Sequence, residues 1–152
     1  MTGYVTVYSV LPVTATAEEH DMSVKTTTID DIPGVPTPDD GLDWRPVREH
    51  LGIAGFGTNA YVAGQPGDLV IEDHDEDEFE ELYVVLRGAA RFLVDDETIE
   101  APAGTFVLVT PPSRRVAHAT APDTAILVIG AVPGKAFEVS EWETRYLGGS
   151  AA

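Results

Sequence analysis

The stretch Glu72-Asp73-His74-Asp75-Glu76-Asp77-Glu78-Phe79-Glu80-Glu81-Leu82-Tyr83-Val84-Val85-Leu86-Arg87-Gly88 runs from an acidic tract straight into an apolar one. Eight of the ten residues from 72 to 81 are acidic. Like charges so close together repel, and the tract reads as a solvated loop. Leu82 to Leu86 reads as a strand, because its branched and aromatic side chains suit a half-buried pleated surface. Period-two alternation puts Glu81, Tyr83 and Val85 on one face and Leu82, Val84 and Leu86 on the other. Glu81 thus stands at the junction of loop and strand. A carboxylate on an inward face must be paired, hydrogen-bonded or protonated, so Glu81 is a functional candidate on physical grounds alone.

Outward from this segment, Pro, Gly and Asp punctuate the chain at short intervals: Gly64-Gln65-Pro66-Gly67, Asp95-Asp96, Pro111-Pro112-Ser113, Ala121-Pro122-Asp123 and Pro133-Gly134. Each is turn chemistry. Between them lie short β-rich runs, roughly Ile53–Ala63, Asp68–Glu72, Leu82–Leu86, Ala90–Val94, Thr98–Ala101, Thr105–Thr110, Val116–Thr120 and Thr124–Ala131. That density predicts an all-β, antiparallel barrel or jelly roll. Ahead of it, residues 1–21 read as a tail and 22–51 as an arm with a short helix near Trp44–Leu51, which Pro46 confines to a helix start. The barrel is expected over 52–137. Residues 138–152 form a C-terminal tail in which Ser140-Glu141-Trp142-Glu143 matches a capping box that opens a short helix. Trp44 and Trp142 are expected on the flanks of the barrel, and His20 and His50 read as structural or exposed.

Composition narrows the function. The chain of 152 residues carries 26 acids against 9 bases, a net charge of -17, which repels phosphate backbones and argues against nucleic-acid binding. No apolar run is long enough to span a bilayer, and Met1 to Asp21 lacks the basic start of a secretory signal, so a cytoplasmic protein is expected. With no cysteine, thiolate chemistry is absent and any metal must sit on His and carboxylate ligands. There is no G-x-S-x-G elbow, phosphate-cradling glycine loop or H-E-x-x-H.

The central segment resembles the cupin family, whose first motif is G-x5-H-x-H-x3,4-E-x6-G. Glu81 and Gly88 match its end, and His74 stands at the first histidine. Glu76 replaces the second, and six residues instead of five separate Gly67 from His74. The second motif, G-x5-P-x-G-x2-H-x3-N, is matched more loosely by Gly104, Pro111, Pro112, Ser113 and His118, with one residue too many and no Asn. The resemblance covers residues 52–132. It implies a double-stranded β-helix with His74, Glu76, Glu81 and His118 converging as metal ligands. Two imidazoles and one or two carboxylates suit Mn, Fe, Ni, Cu or Zn.

Tyr83, on the Glu81 face, and Arg115, beside the turn before the His118 strand, are pocket candidates. For Arg114 and Arg115 the acidic loop is the ordinary partner. Asn59 and Tyr61 share a strand face whose direction is open. Three functions follow as expectations: a metal-dependent small-molecule enzyme of oxygenase or isomerase class, a metal-free cupin that binds a small ligand as a sensor or storage module, and a structural dimer without a pocket. A homodimer is expected in which the arm Val24–Ile32 pairs with an exposed sheet edge.

Overall fold

A computed structural model describes residues 24–147. The expectations for residues 1–21, including His20, lie outside the described residues. Ten strands and two short helices follow in order: β1 (Val35–Thr37), β2 (Leu42–Arg45), α1 (Val47–Leu51), β3 (Gly57–Ala63), β4 (Leu69–Glu76), β5 (Glu80–Arg87), β6 (Ala89–Val94), β7 (Glu97–Pro102), β8 (Phe106–Val109), β9 (Ser113–Ala119), β10 (Thr124–Ala131) and α2 (Glu141–Tyr146). The strands form two antiparallel sheets, one of six strands ordered β1-β2-β3-β10-β5-β8 and one of four ordered β4-β9-β6-β7. Each of the eight β-rich runs yields one of the strands β3 to β10, and the capping box opens α2, with Ser140 accepting from the Glu143 amide at 3.1 Å. Sequence reading left β1 and β2 within a loop or arm. They form because Thr37 and Leu42 face each other across a tight turn, at which the Thr37 hydroxyl accepts from the Leu42 amide at 2.9 Å.

The two sheets close over Tyr83, Val85, Phe92, Val70, Ile126 and their neighbours, all buried. Tyr83 and Phe92 meet edge to face across the core at 5.4 Å between centroids. The turn from β5 to β6 depends on Gly88. Its φ is 69°, and a Cβ there would collide with the Thr124 hydroxyl and lie 2.7 Å from the Thr124 Cα.

The arm behaves differently from expectation. Residues 24–32 form no strand. They lie against their own barrel, with Ile32 buried, Asp30 paired to Arg87 at 2.8 Å and the Ile32 carbonyl accepting from Arg45 at 2.8 Å. No helix among the described residues is long and apolar enough to cross a membrane.

Candidate functional site

Strand β4 supplies most of the site. Its pairing with β9 is irregular between Leu69 and Ile71 and again between Ile71 and His74. Such irregularities allow two consecutive residues, Val70 and Ile71, to be buried and then reset the alternation. Glu72, His74 and Glu76 therefore share the half-buried face, whereas Asp73 and Asp75 are exposed. The acidic tract expected as a loop is thus a strand as far as Glu76. Its charges tolerate this because alternation turns half of them to solvent, where Arg114 meets Asp73 at 2.6 Å and Lys135 meets Glu78 at 2.7 Å.

Glu81 enters from β5. Its Oε2 accepts from the Tyr83 hydroxyl and lies 3.1 Å from Arg115 Nη2 and 3.6 Å from His74 Nε2. Arg115 is wholly buried; its Nε donates to the Tyr83 oxygen at 3.2 Å and its Nη1 to the Ser113 carbonyl at 2.7 Å. His74 Nδ1 sits 2.9 Å from the Glu72 carbonyl. A carbonyl only accepts, so Nδ1 carries the hydrogen and Nε2 faces Glu81.

These surroundings set the charges. Burial favours the neutral form of Glu81, but His74, Tyr83 and Arg115 together hold its carboxyl below the usual range. Burial opposes the charged form of His74, yet the Glu81 carboxylate and the Glu72 carbonyl raise it above its ordinary value. Glu72 has no such support. Desolvation, with Asp40 and Glu81 nearby, pushes it up to about 7 despite His74. Burial and then Glu81 raise Glu76 as well.

The group opens into a cleft of about 150 Å³. Its far wall is built by Asn59 and Tyr61 of β3 and by Phe137, Trp142 and Glu143. Helix α2 is fixed there by a buried ion pair, Arg48 to Glu143 at 2.7 Å, by the Trp142 indole donating to Asp40 at 3.0 Å, and by Trp142 against Trp44 at 4.8 Å. The two tryptophans expected on the flanks thus pack on each other, and Trp142 lines the cleft. Two acceptors in the cleft, Glu72 Oε2 and Asn59 Oδ1, are buried without a hydrogen-bonding partner.

Of the residues singled out from sequence, ligand atoms of His74, Glu76 and Glu81 lie within 4.8 Å of one another. Tyr83 and Arg115 form the floor behind Glu81 rather than the cleft wall. His118 does not join them, which corrects the four-ligand expectation. Strand β9 turns Arg115, Ala117 and Ala119 inward, and His118 is exposed on the outer face opposite Arg91. The inward position on β9 directly across from His74 is Arg115. Sequence reading missed Glu72, Trp142 and Glu143 as site residues. Glu72 had a usable signal, since it stands two residues before His74 and so shares its face.

Two antiparallel sheets closed over one core, with a polar cluster and a cleft at one mouth, define a cupin barrel. The family model for the AraC-like ligand binding domain matches residues 56–149, more than half of the chain, and the chain belongs to that family, a member of the cupin superfamily. Solved structures agree on the fold. A predicted oxalate decarboxylase from Thermotoga maritima is 14% identical over 71% of this chain and 99% of its own, with a TM-score of 0.60. A protein from Photorhabdus luminescens is 17% identical over 73% of this chain and 88% of its own, at 0.57. No curated protein matches the chain.

Proposed function

We propose that the chain is a metal-free ligand-binding cupin module whose cleft takes a small molecule rich in hydrogen-bond donors, such as a polyol or an amine. One observation carries this: Glu72 Oε2 and Asn59 Oδ1 are both buried in the cleft with no donor to satisfy them. A buried acceptor left unpaired costs about 1–3 kcal/mol, so a ligand that supplies hydroxyl or ammonium hydrogens recovers that energy on binding. Tyr61, Phe137 and Trp142 offer the apolar wall against which the carbon face of such a ligand packs.

A metal-dependent enzyme is the second reading, favoured by the convergence of His74, Glu76 and Glu81. The donor chemistry of those three suits a hard divalent cation. The fourth inward position does not: it is occupied by the guanidinium of Arg115, which already neutralises Glu81 at 3.1 Å and repels a second cation beside it. The residues present therefore do not fit a four-ligand centre, and the metal-free reading is the stronger.

Calorimetric titration with a panel of polyols and amines, against a parallel panel of divalent metals, separates the two. Binding of an organic ligand in the presence of a chelator, weakened at least tenfold by Asn59→Leu, supports the module. Metal binding in the micromolar range with no organic ligand bound would overturn it.

A further inference from the structure

We propose, building on the ligand-binding reading above, that the cleft selects an organic cation: a small molecule with one ammonium group, held at Glu72 and Asn59 with its carbon skeleton against Tyr61 and Trp142. Charge points there first. The lining carries four carboxylates, Glu72, Glu76, Glu81 and Glu143, and one imidazole, His74. Arg115 covers Glu81 at 3.1 Å, and Arg48 covers Glu143 at 2.7 Å. All nine lysines and arginines of the chain fall within residues 24–147, and none of them pairs with Glu72 or Glu76. His74 is shared, with Nε2 3.6 Å from Glu81 and Nδ1 3.9 Å from Glu72. Even a charged His74 offsets only one of the two remaining carboxylates, so the ionised lining keeps at least one negative charge without a partner. Asp40, close to Glu72, adds another acid. Charges withdrawn from water are normally paired, and a ligand with one positive charge completes the set.

Hydrogen bonding agrees, on a group that carries no charge. Asn59 Oδ1 is neutral and, like Glu72 Oε2, is buried without a donor. An ammonium brings three donors and no acceptor, whereas each hydroxyl of a polyol also brings lone pairs that need donors. The cleft has few donors to spare, because the Trp142 indole already donates to Asp40 at 3.0 Å and His74 Nδ1 to the Glu72 carbonyl at 2.9 Å. The wall supplies a third argument. An aromatic face attracts a cation within about 6 Å of its centroid. The protein uses this device once already at the cleft: the Arg48 guanidinium, paired with Glu143, stands 5.9 Å from the centroid of Phe137. Tyr61 shares an inner recess with Glu72, and its ring meets that of Trp142 edge to face at 6.4 Å. Ring and carboxylate are thus offered to a ligand in the same combination that holds Arg48.

The two tryptophans of the chain, Trp44 and Trp142, pack on each other and Trp142 lines the cleft, so intrinsic fluorescence reports occupancy alongside calorimetry. The probes are two matched pairs, titrated into the full chain near neutral pH with a chelator present. Serinol is set against glycerol, from which it differs by an ammonium in place of the central hydroxyl, and cyclohexylamine against cyclohexanol. The ammonium member of each pair should bind at least about tenfold tighter, the ratio that separates a hydrogen bond to a charged group from a neutral one. Glu72→Gln should remove most of that preference and leave the alcohols nearly unchanged. Asp75→Asn, on the exposed face of the same strand, removes an equal charge and should keep the preference, which separates the cleft from the general attraction of a chain at -17 for cations. Alcohols that bind as tightly as their ammonium partners, or an equal loss of preference in both variants, overturn this inference and leave the ligand-binding reading standing. No binding by any of the four probes up to about 50 mM, the weak end for ligands of about six heavy atoms, overturns both.

Discussion

Replacing Glu72 by glutamine tests the electrostatics of the cleft most directly. Glu72 has a folded-state pKa of about 7 against an ordinary 4.5, because burial disfavours its charge. The folded state therefore holds a proton that the unfolded chain has already released between those two values. Stability falls as pH rises through that window, and the penalty is fully present above about pH 7. A shift from 4.5 to about 7 corresponds to about 3 kcal/mol at 1.36 kcal/mol per unit. His74 works in the same direction: its pKa is raised in the fold, so its contribution is complete below its unfolded value and fades as pH climbs through the folded one. Glu81, held low, acts oppositely and only at acid pH. The amide of the Glu72→Gln variant cannot ionise, so the gap between variant and wild type should widen from pH 5 to pH 8 in favour of the variant, by about 3 kcal/mol at most. For a chain of this size that is a rise of roughly 10 °C in the relative midpoint of melting. Thermal melts of both proteins across this range read it out. A gap that stays flat from pH 5 to pH 8 would refute the assignment of Glu72 as the uncompensated carboxylate.

Two further outcomes follow from the geometry. Gly88→Ala should destabilise by about 1–3 kcal/mol or more in urea unfolding, because it places a side chain at positive φ and drives a Cβ into Thr124. His118→Ala should leave ligand and metal titrations at wild-type values, since His118 is on the outer face, whereas His74→Ala should weaken any binding in the cleft at least tenfold.

Alternation decided how much of this was legible. Leu82 to Leu86 announced its strand because it is wholly apolar, with aromatic Tyr83 and β-branched Val84 and Val85 at its centre, and is bounded by charge on one side and Arg87-Gly88 on the other. Asp95-Asp96, with Asp95 at φ 50°, announced a two-residue hairpin between Val94 and Glu97. The tract from Glu72 to Glu76 did not announce itself, since repulsion between neighbours argues for a loop. What overrides repulsion is long-range pairing to β9 and the Arg114 counter-charge, neither of which is visible in a local window. The pair β1 and β2 was hidden for the same reason: strands of three and four residues carry little pattern, and Trp44 packs on Trp142, almost a hundred positions away. An unbroken period of two made the inward face of Leu82 to Leu86 readable, and the same period from Glu72 to Glu76 sets Glu72 on the face of His74, whereas the irregular pairing of β4 ahead of His74 is visible only in the fold.

The position of His118 is the case in which one residue of register changes the chemistry. A strand side chain shifted by one residue moves to the opposite face, and the second motif of this chain is one residue too long. Arg115, three residues earlier on the same strand, occupies the inward place across from His74, and it brings a fixed positive charge beside Glu81. The substitution Arg115→His should reverse that. Residues directly opposite on antiparallel strands have Cα atoms about 4.5–5.5 Å apart, close enough for two imidazoles to share one ion at the roughly 2.0–2.1 Å that zinc requires. The new imidazole would stand beside His74, Glu76 and Glu81, and the guanidinium that competes for Glu81 Oε2 would be gone. Zinc should then raise the melting midpoint of Arg115→His by several degrees over its own metal-free state, since a site at a zinc concentration about 100 times its dissociation constant contributes about 2.7 kcal/mol. Arg115→Met serves as the control that removes the charge without adding a ligand. No zinc response in either variant would mean that the His74, Glu76 and Glu81 side chains do not hold a common centre, and the metal reading of this barrel would fall with them.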